Sequence, residues 1–229
     1  IDQVLNNTSF INGPAVNEFQ KDLEKFNQVK HVIPCANGTD ALQIALMALD
    51  LKPGDEVITT DFTFISTIEV IALLRLKPVL VDIDINTFNL NIDHIKRAIT
   101  NKTKVILPVH IFGQVSDMEE IMKIARNNNI IVLEDNAQAI GAVYTNYKGK
   151  KVKSGAIGDI SATSFFPSKN LGGYGDGGAI FTNNSLLEKK VRAIANHGMF
   201  KRYYHDYVGL NSRLDSIQAA ILKVKLKYL

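Results

Sequence analysis

Lys169 lies in the most chemically distinctive segment of the sequence. It follows the segment 164–168, which contains two phenylalanines and a proline between serines, and precedes the glycine-rich run 171–178. A lysine sheltered in such a turn loses solvation, which favours its neutral amine and makes it a nucleophile toward an aldehyde. Most lysines are solvated surface residues, and the glycine run is also compatible with a flexible loop. The residue order does not fit a Walker phosphate loop, in which the lysine follows the glycines, so NTPase chemistry is disfavoured.

Two acidic residues end a predicted hydrophobic strand. Glu134 and Asp135 follow the apolar residues 130–133, and one of the two carboxylates should point into a partly buried site. A buried carboxylate persists only with a partner that offsets its lost hydration. A cationic ring nitrogen, a metal ion or a neighbouring arginine would provide that partner, while a plain strand-end turn explains the two acids equally well.

A third segment places a glycine and a hydroxyl residue where a loop enters a helix. Gly38 and Thr39 follow Asn37 and precede an apolar helical pattern. The free N–H groups and the dipole at a helix start can bind a phosphate. Asn and Thr are also common at helix caps, and for this segment alone an ordinary cap is the more frequent explanation.

The other conspicuous polar residues are expected to be structural. His110 is a lone histidine at a strand end. Cys35 has no second cysteine and no nearby histidine to form a nucleophilic or metal site, so we expect it to pack in the core. The lysines at 148, 150, 151 and 153 are typical of a solvated hairpin. No metal site is expected.

Alternating strand and helix patterns must position these segments. Apolar, β-branched runs predict strands at 57–60, 78–83, 105–109, 130–133, 160–166 and 179–182. Apolar residues at helical spacing predict helices between the earlier strands and two more near the end of the chain. This alternation predicts an α/β fold with a mainly parallel sheet covered by helices on both faces. Ligands of such sheets bind at the carboxyl ends of the strands.

Composition limits the class of protein. The 229 residues include 46% hydrophobic and 21% charged side chains, which fits one large globular domain and excludes a disordered chain. A net charge of +3 is too small for nucleic-acid binding by charge alone. The single cysteine and the lack of a long apolar run or signal-peptide pattern lead us to expect a cytoplasmic protein without membrane association. Because the chain begins with Ile1 and ends within a helical pattern, we expect a fragment.

Together these segments resemble the DegT/DnrJ/EryC1/StrS family of nucleotide-sugar aminotransferases, which bind pyridoxal phosphate on the type I aminotransferase fold. The similar segments run through nearly the whole chain, at 10–14, 37–42, 53–58, 62–64, 81–84, 134–135, 164–169, 174–179 and 209–215. The resemblance implies that residues 1–229 form the large, cofactor-binding domain, with a mostly parallel seven-stranded sheet between helices. The N-terminal start and the small C-terminal domain of the family would be missing, and the active sites would be shared between the subunits of a homodimer.

The resemblance also assigns roles to individual residues. Lys169 would bond to the aldehyde of pyridoxal 5′-phosphate, and Asp135 would keep its pyridine nitrogen protonated, which makes these two the expected catalytic residues. The other implied cofactor contacts are Gly38, Thr39 and Ser164 at the phosphate, Gln138 near the phenolic oxygen, Phe62 over one face of the ring, and Asn211 at the phosphate of the neighbouring subunit. One ligand would thus explain the lysine, the strand-end acid and the helix start.

The implied reaction is a ping-pong amino transfer, by family analogy from glutamate, with pyridoxamine 5′-phosphate as the intermediate form of the cofactor. The acceptor would be a keto sugar linked to a nucleotide, in the biosynthesis of a cell-surface polysaccharide or related glycan. Segments 35–49, 163–169 and 202–205 are most similar to enzymes that aminate carbon 3 of a UDP-linked 2-acetamido-3-keto-glucuronic acid. Those enzymes often have Pro and Cys where Asn170 and Gly173 stand here.

Several alternatives stay open at this point. Arg213 would bind a carboxylate or phosphate of the sugar nucleotide, or it would form a salt bridge with Asp215. The amination would take place at carbon 3, at carbon 4 or on another keto sugar. A different type I enzyme is a rival hypothesis, and a regulatory protein that binds a sugar nucleotide without turnover is another.

Overall fold

A seven-stranded sheet forms the centre of the chain in a computed structural model that describes residues 1–229. The chain contains eleven strands in all: β1 (His31–Cys35), β2 (Glu56–Thr59), β3 (Lys77–Leu80), β4 (Thr103–Ile106), β5 (Ile131–Asp135), β6 (Val143–Thr145), β7 (Lys151–Lys153), β8 (Ile160–Ser164), β9 (Gly178–Thr182), β10 (Met199–Lys201) and β11 (Tyr204–His205). The pairs β6–β7 and β10–β11 are separate two-stranded ribbons.

The order of strands across the large sheet is β1-β9-β8-β5-β4-β2-β3. Strand β9 is antiparallel to both of its neighbours, and the other pairings are parallel. Strands β2, β8 and β9 are buried along their whole length, as expected for strands covered on both faces. The predicted α/β fold with a mostly parallel, seven-stranded sheet is therefore confirmed.

Eight α-helices surround the sheet: α1 (Asp2–Asn6), α2 (Pro14–Asn27), α3 (Gly38–Ala48), α4 (Ser66–Leu73), α5 (Ile92–Ala98), α6 (Met118–Asn128), α7 (Ser185–Ala195) and α8 (Ser216–Lys225). Successive strand residues point to opposite faces, so Val57 packs in one core with α3, α4 and α7, while Ile58 packs in another with α5 and α6. A third core joins α2 and α8 to β1 and β9. None of the helices has the combination of length and hydropathy that a membrane span requires.

Some element boundaries differ from those predicted. Strand β3 ends at Leu80 and not at residue 83, because its partner β2 already ends at Thr59. Strand β8 ends at Ser164, two residues earlier than predicted, and α8 begins at Ser216, after Leu214. The predicted hairpin is present as β6–β7, with Gly149 at its turn in the left-handed region at φ +77°.

Two elements lie where neither strand nor helix is predicted. Helix α2 begins after Gly13, with Pro14 at the first helical turn, where its missing N–H costs nothing. Strand β1 contains Pro34, which a strand tolerates at the edge of a sheet. Cys35, at the end of β1, is fully buried as predicted, and burial raises the pKa of its thiol.

Candidate active site

A cavity of about 420 Å³ opens at the carboxyl ends of the parallel strands. Strands β1, β5 and β8 each end beside it, so residues far apart in the sequence meet there. Six of the predicted site residues line this cavity: Gly38, Thr39, Asp135, Gln138, Ser164 and Lys169. The structure thus brings together the three segments that sequence reasoning treated separately.

Asp135 is the last residue of β5, and its carboxylate is buried against the cavity. One carboxylate oxygen, Oδ2, accepts a hydrogen bond from the hydroxyl of Thr67 at 2.8 Å. The other, Oδ1, accepts from the backbone N–H of Ala137 at 3.1 Å. Burial raises the pKa of Asp135, because these two hydrogen bonds do not fully offset its desolvation. The site therefore favours a cationic partner for this carboxylate.

Lys169 stands in the turn after β8, where its backbone N–H donates to the carbonyl of Phe166 at 2.8 Å. Its side chain is partly buried and lines the cavity. No acceptor lies within hydrogen-bond or ion-pair distance of its Nζ. An amine with no competing partner in the protein is free to react with an electrophile in the cavity.

Helix α3 presents its N-terminus to the same cavity. The Asn37 side chain caps the helix by accepting from the N–H of Asp40 at 2.8 Å. The N–H groups of Gly38 and Thr39 donate to no acceptor in the protein, so they are available to an anion. A Cβ on Gly38 would lie only 2.7 Å from the Cβ of Ser164, which shows how closely the loop and the end of β8 approach each other.

Gln138 and Thr63 belong to the polar lining of the cavity, and Thr67 is fully buried next to it. The Gln138 side chain accepts from the N–H of Phe112 at 2.7 Å, which fixes its amide at the cavity wall. Thr67 and Thr63, four residues apart around the start of α4, share a hydrogen bond of 2.8 Å between their hydroxyls. Sequence reasoning missed Thr67. The available signal was a polar pair at helical spacing in an otherwise apolar segment.

Comparison with known proteins assigns the family. The whole chain, residues 1–229, matches the DegT/DnrJ/EryC1/StrS aminotransferase family. The chain belongs to this family. The resemblance deduced from the sequence is therefore confirmed.

Two relatives in the aminotransferase family show the degree of similarity. A UDP-2-acetamido-2-deoxy-3-oxo-D-glucuronate aminotransferase from Pseudomonas aeruginosa is 52% identical over 227 residues, covering 99% of this chain and 62% of that protein. A pleiotropic regulatory protein from Geobacillus stearothermophilus is 50% identical over 229 residues, covering 100% of this chain and 60% of that protein. The chain thus spans about three fifths of the length of these relatives.

Solved structures of other proteins have the same architecture as this chain. An aminotransferase of the family from Brucella abortus superimposes with a TM-score of 0.94 at 42% identity, covering 99% of this chain and 61% of that chain. NtdA from Bacillus subtilis, with bound cofactor PMP, superimposes with a TM-score of 0.91 at 38% identity, covering 100% of this chain and 51% of that chain.

Three predicted site residues lie outside the cavity wall of this family member. The Phe62 ring stacks on Phe88 with centroids 5.7 Å apart, and the aromatic residues that line the cavity are Phe64 and Phe166, which sequence reasoning missed as site residues. Asn211 is exposed and forms an antiparallel bridge with Asn196. Its predicted contact with a neighbouring subunit stays a prediction.

Arg213 lines a second cavity, of about 240 Å³, with Arg192 and several amide side chains. It forms no ion pair with Asp215, so the proposed salt bridge between these two residues is wrong. The N–H of Ala219, in the first turns of α8, donates to the carbonyl of Asp215. A role for Arg213 in substrate binding stays a prediction.

Proposed function

We propose that this chain is the cofactor-binding part of an aminotransferase that uses pyridoxal 5′-phosphate to transfer an amino group to a nucleotide-linked keto sugar. The observation that carries the proposal is the meeting of Lys169 and Asp135 in one cavity with the free amides of Gly38 and Thr39. Membership of an aminotransferase family supports it.

The residues present fit this cofactor group by group. The unpaired Lys169 amine suits an aldehyde, the buried Asp135 carboxylate suits a protonated ring nitrogen, and the open start of α3 suits a phosphate. The Ser164 hydroxyl stands beside Gly38 as a further phosphate donor. We assign the ring face to Phe64 in place of Phe62, because Phe64 is the aromatic side chain of this loop that lines the cavity.

Each residue then has a defined task. When bound, pyridoxal phosphate supplies an electron-accepting ring that stabilises negative charge at the substrate carbon. Asp135 would hold a proton on the ring nitrogen, and Gly38, Thr39 and Ser164 would anchor the phosphate. Lys169 would hold the cofactor at its aldehyde, and the same Nζ, once free, would move a proton from the α-carbon of the amino donor.

We propose glutamate as the amino donor and a UDP-linked 3-keto-2-acetamido hexuronate as the acceptor. The relative from P. aeruginosa, named for such a substrate, supports this choice. Amination at carbon 4 or of another keto sugar is the alternative, and one relative is named for a different sugar, as a dTDP-3-amino-3,6-dideoxy-alpha-D-galactopyranose transaminase. The relative from G. stearothermophilus has a regulatory name, but a reactive lysine beside a buried aspartate has no use in a protein that only binds.

We further propose that the enzyme is a cytoplasmic homodimer that serves the synthesis of a polysaccharide or related glycan. Exposed aromatic side chains, Phe64 at the cavity and the contacting group Phe62, Phe88 and Phe112, support a second subunit covering this face. The free, buried Cys35 supports a reducing compartment. In such a dimer Asn211 would reach the phosphate bound by its partner subunit.

An absorbance spectrum of the purified protein with added pyridoxal phosphate tests the proposal. We expect a visible band that glutamate bleaches, and no such band with Lys169→Ala. Lys148→Ala is the matched control, since Lys148 is an exposed hairpin lysine outside the cavity and its loss should leave the band unchanged. A wild-type protein without the band, or a band that persists in Lys169→Ala, would contradict the assignment.

A further inference from the structure

Directly behind Asp135 lies a second acid that the proposed reaction does not use. Glu134 is fully buried and points away from the cavity, because successive residues of β5 face opposite sides of the sheet. Its Oε1 accepts from the backbone N–H groups of Ile157 at 2.8 Å and Gly158 at 2.6 Å, and its Oε2 accepts from that of Gly155 at 2.9 Å. These three amides belong to the loop between β7 and β8.

The fourth partner of Glu134 is His110, which is also fully buried. Its Nε2 lies 2.8 Å from Glu134 Oε2. The N–H of Ser116 points at the other ring nitrogen, Nδ1, at 3.3 Å, so Nδ1 is the acceptor and Nε2 carries the proton. Burial opposes the charge of Glu134, but the bonds from His110 and from the loop amides outweigh it and hold the pKa of Glu134 below its usual value.

This arrangement fixes the peptide that carries Asp135 from both sides. The N–H of His110 donates to the carbonyl of Asp135 at 3.1 Å, and the N–H of Asp135 donates to the carbonyl of Pro108 at 2.9 Å. The side chain of the preceding residue, Glu134, is fixed by four hydrogen bonds. A shift of β5 along its axis would break all of these contacts together.

We infer that Glu134 and His110 are positioning residues for the proposed cofactor, which hold Asp135 where its carboxylate keeps the ring nitrogen protonated. This inference rests on the proposed function. Asp135 can hold that proton only if its carboxylate stays close to the nitrogen and aligned with it, and a displacement of about 1 Å weakens such a contact strongly.

The decisive variant is Glu134→Gln. The side-chain –NH2 of glutamine would face either the ring Nε2–H of His110 or the backbone N–H groups of the loop. All of these groups are donors, so the –NH2 could not bond to them. His110 cannot adapt by moving its proton to Nδ1, because Ser116 already donates there. We expect the Kd for pyridoxamine 5′-phosphate to rise about tenfold or more, the order of effect of a lost hydrogen bond to a charged group. We also expect the ring nitrogen of 15N-labelled pyridoxamine 5′-phosphate to lose its proton at a lower pH than in the wild type, by NMR.

Glu56→Gln is the matched control. Glu56 is also a buried carboxylate that accepts several hydrogen bonds, but it lies at the opposite end of the sheet, at the start of β2. We expect it to lower the melting temperature and to leave the Kd and the ring protonation unchanged. His110→Gln and His110→Leu form a second pair, since glutamine keeps a donor for Glu134 and should retain tight binding, while leucine should not.

The outcomes separate the two proposals. Wild-type protein that does not bind pyridoxamine 5′-phosphate would contradict the proposed function itself. The inference would be overturned if the wild type bound tightly and both Glu134→Gln and His110→Leu kept the wild-type Kd and a protonated ring nitrogen. Glu134 and His110 would then have a purely structural role. If Glu134→Gln does not fold, the comparison of the two His110 variants decides.

Discussion

At the scale of single residues, Asp135 is the side chain whose energy depends most on a ligand. It is buried, it accepts only two hydrogen bonds, and no cation of the protein lies within ion-pair distance. Burial raises the pKa of Asp135 above its ordinary value of 3.8 in the folded protein. The charged form is therefore a cost to the cofactor-free fold, and the proposed ring nitrogen would relieve that cost.

Asp135→Asn should consequently stabilise the cofactor-free protein and inactivate the enzyme. Asparagine can accept from Ala137 and donate to Thr67, whose hydroxyl can turn toward Thr63. The gain in the free energy of unfolding is expected at neutral pH and should vanish as the pH falls below about 3.8, where the folded and unfolded states of the wild type are both protonated. We expect kcat to fall at least about a hundredfold, the order seen when one electrostatic contact is removed from an active site.

Denaturant titrations of the two proteins between pH 3 and pH 8, about the range in which such a carboxyl titrates, measure the stability difference. Asp117→Asn is the control, because Asp117 is distant from the cavity and accepts from Tyr144 and Tyr147. A destabilised Asp135→Asn protein at neutral pH would show that the carboxylate is satisfied without a ligand.

The residues of the site differ in how far sequence could predict them. Lys169, Asp135 and Gly38 each stand at a strand end or helix start with a residue type that suits one chemistry, and all three line the cavity. Thr67 and Phe64 were not predicted, because their roles depend on how α4 packs against β5 and on which side of the loop after β2 faces inward. These are properties of tertiary packing, which short sequence patterns do not specify.

At the scale of elements, the start of α3 determines whether a phosphate can bind. Gly38→Ala should weaken binding of pyridoxamine 5′-phosphate about tenfold or more, because the added Cβ would lie 2.7 Å from that of Ser164 and push the helix start away from the cavity. Alanine has the higher helix propensity, so a loss of binding would not come from a weaker helix. Pyridoxamine without a phosphate should bind the variant and the wild type alike.

Calorimetric titration with both ligands measures this difference. The double variant Gly38→Ala/Ser164→Gly removes the clash between the two Cβ atoms. Its affinity for pyridoxamine 5′-phosphate should therefore fall by a smaller factor below that of Ser164→Gly than the affinity of Gly38→Ala falls below that of the wild type. If Gly38→Ala lowered the affinity for pyridoxamine and for pyridoxamine 5′-phosphate by the same factor, the phosphate would have to bind elsewhere in the cavity.

Element prediction failed in one instructive place. Strand β1 is short, contains Pro34 and lies at the edge of the sheet, so its sequence carries little of the alternating or β-branched pattern that marks a strand. It forms because β9 offers it a partner through five residue pairs. Long-range pairing, which local patterns do not reveal, decides the structure of this segment.

At the scale of the whole molecule, shared active sites make a quantitative prediction. If Lys169 acts in one subunit and Asn211 completes the same site from the other, then Lys169→Ala and Asn211→Ala proteins should each be nearly inactive alone. Coexpressed in equal amounts, they should recover about a quarter of wild-type activity, since half of the dimers are mixed and each mixed dimer has one intact site.

Differently tagged subunits allow the mixed dimers to be isolated by two affinity steps and assayed by the release of 2-oxoglutarate from glutamate. Mixed dimers as inactive as the two parents would show that Asn211 does not act across the interface. A mixture of Lys169→Ala with Lys169→Ala carrying the second tag provides the baseline.

The position of β9 also governs how the chain can be assembled during synthesis. The strand enters the sheet between β1 and β8, and His31 pairs with Thr182, which lies far away in the sequence. A nascent chain that has not yet exposed residues 178–182 outside the ribosome leaves β1 without its partner and one edge of β8 open to pairing with other chains. Completion of the sheet is thus postponed until residues 178–182 have been translated, which leaves the early strands in need of protection until then.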